Sequence, residues 1–102
     1  MKRRAVVLDP GARQDLDDLY DWIADSASPR IAGAYLDRVA DFLSRLDLAA
    51  ERGTAHNDIA PGLRTVGFER RLTIALQVTE MDVRVVGIFR AGRDWASALG
   101  DR

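Results

Sequence analysis

From Leu72 to Val78 the chain alternates strictly: Leu72, Ile74, Leu76 and Val78 are apolar, and Thr73, Ala75, Gln77 and Thr79 stand between them. A period of two predicts a strand with one apolar face. Glu80-Met81-Asp82 supplies a tight turn, and Val83 to Phe89 returns as a second strand. In that strand Val83 and Val85 point one way while Val86 and Ile88 point the other, so it reads as apolar on both faces and therefore central. Arg64 to Phe68 is a shorter, more peripheral run ahead of this pair.

The first half of the chain has a different period. Arg3 to Leu8 is a short β-like run closed by Asp9-Pro10, an N-cap residue followed by proline at the first helical position. Ala12, Leu16, Leu19, Tyr20 and Ile23 then form a helical stripe. Ser28-Pro29 repeats the cap and ends the first helix near Ser26 or Ala27, because a residue before proline is pushed out of the helical region. The second helix is predicted from Pro29 to about Ala50, with Ile31, Tyr35, Val39, Phe42 and Leu46 as its stripe, widened by Ala32, Leu36 and Leu43. Arg52-Gly53 is its stop. The short break between the helices predicts an antiparallel hairpin. Thr54 to Gly62 reads as a loop and Ala96 to Arg102 as a short, poorly ordered tail. The expected order is β-α-α-β-β-β: an α+β single domain over residues 1–102, with an N-terminal strand and a helix hairpin packed on an antiparallel sheet.

Composition narrows the function. A chain of 102 residues with 47% hydrophobic content folds as one domain rather than remaining disordered. The sequence has no cysteine, which excludes a disulfide scaffold and fits a reducing cytoplasm. The basic start, Met1-Lys2-Arg3-Arg4, is followed by no long apolar run, so neither a secretory signal nor a membrane span is expected. A net charge of −1 argues against a general or sequence-specific nucleic-acid binder. The charge is unevenly spread: residues 5–63 carry a balance of −6 and residues 64–102 a balance of +2. Basic side chains mark the ends and one face of the strand region: Arg64, Arg70, Arg71, Arg84, Arg90 and Arg93.

Candidate chemistry is sparse. There is no Gly-rich phosphate loop, no Ser/His/Asp constellation and no histidine pair at metal spacing, so no catalytic residue, metal or cofactor is expected. Asp18, Asp21 and Asp25 read as a solvated helix face, and His56, the single histidine, as a polar loop residue.

What is present resembles the RelE/ParE superfamily of bacterial toxins. Ala12-x-x-Asp15-Leu16-x-x-Leu19-Tyr20-x-x-Ile23-Ala24 is similar to the first-helix pattern of its ParE branch. Ser28-Pro29, Ala34-Tyr35, Gly62-Leu63-Arg64 and Phe68-Glu69-Arg70-Arg71 follow in order, and Gly92-Arg93-Asp94-Trp95 is similar to the basic-plus-aspartate ending of ParE-like chains. Arg90 stands where family members often carry a histidine, and Leu76 where many carry an aromatic residue.

The resemblance implies the toxin of a type II toxin–antitoxin pair, inhibiting DNA gyrase by binding and neutralised by a cognate ParD-like antitoxin. Arg64, Arg71, Arg90 and Arg93 are then the target contacts, with Trp95 as aromatic anchor, since arginine and tryptophan are the types that most often carry interface energy. Trp22, off the centre of the first helix's stripe, is the candidate antitoxin anchor. The alternatives are a RelE-like ribosome-dependent mRNA endonuclease and an inactive toxin-fold binding module. The endonuclease needs a base and an acid near the phosphate. The basic sheet offers arginine, which stays protonated.

Overall fold

In the computed structural model, which describes residues 3–47 and 52–102, the predicted pattern folds as a helix hairpin over a sheet. Strand β1 (Ala5–Leu8) leads into α1 (Pro10–Ser26) and α2 (Pro29–Ser44), and strands β2 (Thr54–Ala55), β3 (Leu63–Phe68), β4 (Leu72–Val78) and β5 (Asp82–Arg90) precede α3 (Trp95–Gly100). The sheet order is β1-β5-β4-β3-β2. The meander β3-β4-β5 is antiparallel as expected, but β1 joins β5 in parallel, so the sheet as a whole is mixed. The reason is topological: the two helices carry the chain over one face between β1 and the meander, which lets β1 lie alongside β5 in the same direction.

The two proline breaks work differently. Ser28 caps α2, its hydroxyl accepting from the Ile31 N–H at 3.1 Å. Asp9 holds the N-cap position of α1 without capping it; its carboxylate instead accepts from Arg84 at 2.8 Å. Helix α2 stops at Ser44, short of the expected Ala50, and a 3₁₀ turn (Arg45–Asp47) replaces its last turn. That turn drops Leu46 fully into the core and lets the Asp47 carbonyl accept from the Arg4 N–H at 3.0 Å. The remainder of the expected helix, residues 48–50, lies outside the described residues. Gly53, at φ +80, passes so close to β3 that a Cβ there would sit 2.0 Å from the Thr65 carbonyl oxygen.

One core fills the space between the hairpin and the sheet. Tyr35, Val39 and Leu43 of α2 and Ala12 and Leu19 of α1 meet Val66, Phe68, Leu72, Ile74, Leu76, Val83, Val85 and Ile88. The apparent reversal of facing within β5 is a bulge. Ala75 pairs with Gly87 and Leu76 with Val85, so Val86 is the extra residue. An extra residue flips the alternation, and Val83, Val85 and Ile88 all face the helices. Strand β5 is still interior to the sheet, between β1 and β4.

The expected disordered tail is instead a helix. Asp94 caps α3, accepting from the Ser97 N–H at 3.2 Å and the Ser97 hydroxyl at 2.8 Å. Beyond it Arg102 crosses to the β5 bulge, donating to the Val86 carbonyl at 2.7 Å and to the Asp15 carboxylate at 2.6 and 2.7 Å. Asp15 in turn accepts from the Ile88 N–H at 2.8 Å. β1 pairs only as far as Val85. The two side chains therefore satisfy backbone groups on the edge that β1 leaves open.

A candidate interaction groove at one end of the sheet

The end of the sheet where β5 finishes and β3 turns into β4 opens into a groove of about 1100 Å³. Its apolar floor is Leu19, Trp22 and Ile23 from α1, Ile31 from α2 and Leu72 from β4. Its rim is Arg38, Arg70, Arg71, Arg90 and Arg93, and no carboxylate lines it.

Local geometry explains why these arginines gather. The turn Phe68-Glu69-Arg70-Arg71 closes with the Arg71 N–H donating to the Phe68 carbonyl at 2.9 Å. Both central residues have positive φ, 51° at Glu69 and 58° at Arg70. That is the φ pattern of a type I′ hairpin turn, which matches strand twist but favours Asn-Gly. Adopting it with side chains of this size costs of order 1–2 kcal/mol per residue. Part of that cost is offset by a two-pronged ion pair from Arg38 to Glu69, at 2.9 and 3.1 Å. The same turn is tied to the end of β5 by the Ala91 N–H, which donates to the Arg71 carbonyl at 2.8 Å. Arg90 lies opposite Leu72 in the ladder, on the helix side of the sheet, and its guanidinium covers the Trp22 ring at 4.3 Å. Trp22 and Ile31 remain about half exposed, at 49% and 55%. Neither is needed to close the core, so both are free to meet a partner.

Tyr35 stands behind the Arg38–Glu69 fork. Its ring meets Phe68 edge-on at 5.9 Å, and the Arg38 guanidinium lies 5.0 Å above it. Its hydroxyl is buried and has no hydrogen-bond partner. Burial, and next the negative Glu69, raise the phenol above its ordinary pKa. The hydrogen bond from Arg38 pulls Glu69 below the usual carboxylate range.

The residues expected from the sequence are thus divided. Arg71, Arg90 and Arg93 come together in the groove, and Trp22, expected on a separate surface, joins them. Arg64 lies elsewhere, donating to the Arg52 carbonyl at 2.9 Å and the Gly53 carbonyl at 3.2 Å, where it holds the chain entering β2. Trp95 lies on the far side of the sheet, half-buried and edge-on to His56 at 4.8 Å. His56 is bonded to Thr65 at 2.9 Å, so it serves that face and not the groove. Arg84 is engaged by Asp9 and Asp82. Among the described residues no group of three or more histidine, aspartate or glutamate side chains is placed to hold a metal ion.

Sequence reasoning missed Tyr35, the Arg38–Glu69 pair and the Asp15–Arg102 contact. Only Asp15 left a signal: it lies three residues after Ala12 and four before Leu19, within the apolar stripe, where a lone carboxylate needs a partner.

No curated protein sequence matches the chain. Among solved structures, the chromosomal ParDE toxin–antitoxin system from P. aeruginosa is similar, with a TM-score of 0.76 at 22% identity, over 87% of this chain and 97% of that one. At that identity the likeness supports the fold: a helix hairpin on a mixed sheet. The family assignment comes from the sequence itself, since residues 6–95 match the ParE toxin of the type II toxin–antitoxin system parDE. That span holds the hairpin, the meander and every groove arginine, and the chain belongs to the ParE toxin family.

Proposed function

We propose that this toxin arrests growth by binding DNA gyrase through the arginine rim of the groove, without cleaving RNA, and that its antitoxin neutralises it by covering the same groove. The observation that carries this reading is the chemistry of the rim. Five arginines surround an apolar floor, and Glu69, the carboxylate of the adjoining β3–β4 turn, is kept ionised by Arg38. A carboxylate held that way is a poor proton acceptor, and arginine a poorer one. Such a site holds acidic surfaces more readily than it moves protons. Trp22 under Arg90 supplies the aromatic and cationic pair that interfaces favour. A family member with a gyrase target acts in the cytoplasm, and no described helix is long and apolar enough to cross a membrane.

The test is direct. Purified toxin should impair supercoiling by gyrase and leave ribosome-bound mRNA intact. Arg90→Ala and Arg93→Ala should weaken inhibition with the fold unchanged, because exposed substitutions usually cost within about 0.5 kcal/mol. Asp21→Ala, on the outer face of α1, should leave it unaltered. Cleavage of mRNA in the ribosome with gyrase unaffected would replace this reading by the RelE-like one.

A further inference from the structure

We propose that the Tyr35 hydroxyl, together with Arg71, seats a carboxylate side chain presented by an acidic, apolar docking segment of the antitoxin. The proposal rests on the antitoxin occupying the groove and adds the chemistry that anchors it there.

Tyr35 is 7% exposed, and its hydroxyl has no partner. Buried polar atoms are paired in the great majority of native structures, and an orphan calls for a reason. Nothing in the packing requires a hydroxyl here. Phenylalanine would keep the edge-on contact with Phe68 and the Arg38 contact above the ring. Tyr35 itself is among the residues that line the groove, with its hydroxyl buried behind that lining. Next to it the β3–β4 turn holds two non-glycine residues at positive φ. Such strain concentrates at binding sites.

The surroundings define what the hydroxyl is waiting for. It is held protonated, so it is a donor seeking an acceptor. The charges acting on it are Glu69, which the Arg38 fork neutralises, then Arg71 and Arg38, and Arg70, Arg90 and Arg93 lie around the same opening. A donor beside guanidinium groups selects an anionic acceptor, and Arg with Tyr is a fitting pair for a carboxylate. The floor of Trp22, Ile23 and Ile31 is apolar, which suits the aliphatic face of a peptide segment better than a sugar–phosphate chain. The occupant that fits is an amphipathic stretch with acidic side chains on its flank. Access requires the Arg38–Glu69 fork to tilt aside. That pair is well exposed, at 54% and 37%, and exposed pairs are weakly held.

The experiment uses the full-length toxin and, as probe, the product of the reading frame adjoining the toxin's. Tyr35→Phe and Arg71→Gln are each titrated against it, and every aspartate and glutamate of the probe is changed in turn to asparagine or glutamine. Tyr35→Phe should raise the melting temperature of the free toxin, because it removes an unpaired buried hydroxyl. It should also weaken the complex about tenfold, the order of one charged hydrogen bond. One probe carboxylate should be coupled to it: the double variant should bind no worse than either single one. A structural tyrosine would lower the melting temperature instead, and that result overturns the proposal. So does unchanged affinity, or weakening coupled to no carboxylate. Both leave antitoxin docking in the groove intact. No binding of the wild-type toxin to the probe would overturn the docking reading, and this proposal with it.

Discussion

Replacing Asp15 by alanine should be the most damaging single change among the acidic residues of α1. Its carboxylate is 15% exposed, accepts from the Ile88 N–H at 2.8 Å, and meets both its oxygens with one Arg102 nitrogen at 2.6 and 2.7 Å. Alanine strands the Ile88 N–H on an edge that β1 does not reach, and an unpaired, part-buried donor costs about 1–3 kcal/mol. The lost ion pair adds about 1 kcal/mol, discounted because Arg102 is 32% exposed and turns partly to water. The total is ~2–4 kcal/mol, or a fall in melting temperature of about 10–20 °C for a domain of this size. Arg102→Ala leaves Asp15 bonded to Ile88 but removes the donor to the Val86 carbonyl, at about 1–2 kcal/mol. Asp15→Asn keeps an acceptor for Ile88 and should fall between the two. Urea unfolding followed by far-UV circular dichroism measures all three, with exposed Asp17→Ala as control. If Asp15→Ala lies within 0.5 kcal/mol of that control, on the order of ordinary surface scatter, the bond to the bulge carries no stability. If Arg102→Ala costs more than Asp15→Ala, the ranking built on the Ile88 donor is wrong.

Three further outcomes follow from the same geometry. Ser28→Ala removes the side-chain acceptor of the Ile31 N–H and should cost about 1 kcal/mol in thermal unfolding. Arg70→Gly places glycine where φ is 58° and should raise the urea midpoint, by about 0.5–1 kcal/mol of stability. For pH the signs are opposite at the two ends of the range. Hydrogen bonds from Arg38 and from Ser97 hold Glu69 and Asp94 below their unfolded pKa values, so their stabilisation is present above the ordinary carboxylate range and is lost as pH falls through the lowered folded values. Burial raises Tyr35, so its contribution is full below the ordinary tyrosine pKa and is lost as pH rises through the raised one. Glu69→Gln with Asp94→Asn should flatten the acid limb of the urea midpoint, and Tyr35→Phe the alkaline limb.

Elements set by local rules were legible in the sequence. The Leu72–Val78 alternation, the Ser28-Pro29 cap and the end of α1 at Ser26 depend on neighbours a few residues apart. What was missed depends on contacts far apart in the chain. Arg102 bonds Asp15 across 87 residues, and Arg38 bonds Glu69 across 31. Helix α3 belongs to the same class. Six residues do not hold a helix alone, and this one persists through the Asp94 cap and the anchor at Arg102. The arginines were recognisable as a basic rim. Their division between the groove and the β2 edge was not, because it depends on which end of the sheet each occupies.

The β5 bulge joins the fold to the groove. Without an extra residue, a strand that puts Val83 and Val85 toward the helices would put Gly87 and Phe89 there too, and would turn Arg90 to the opposite face. With Val86 as the extra residue, Ile88 completes the core and Arg90, two positions on, emerges beside Leu72 on the helix side, over Trp22. Phe89 then fills the far face with Ala75, both buried. The Asp15 and Arg102 side chains that satisfy the bulge's Ile88 N–H and Val86 carbonyl therefore also hold the alternation that delivers Arg90 to the groove. Arg102 thus shapes the groove although it does not line it: its hold on the bulge keeps the arginine rim and the Trp22 ring in register. Because Trp22 and Arg90 are in contact, a partner that covers the tryptophan also covers the arginine.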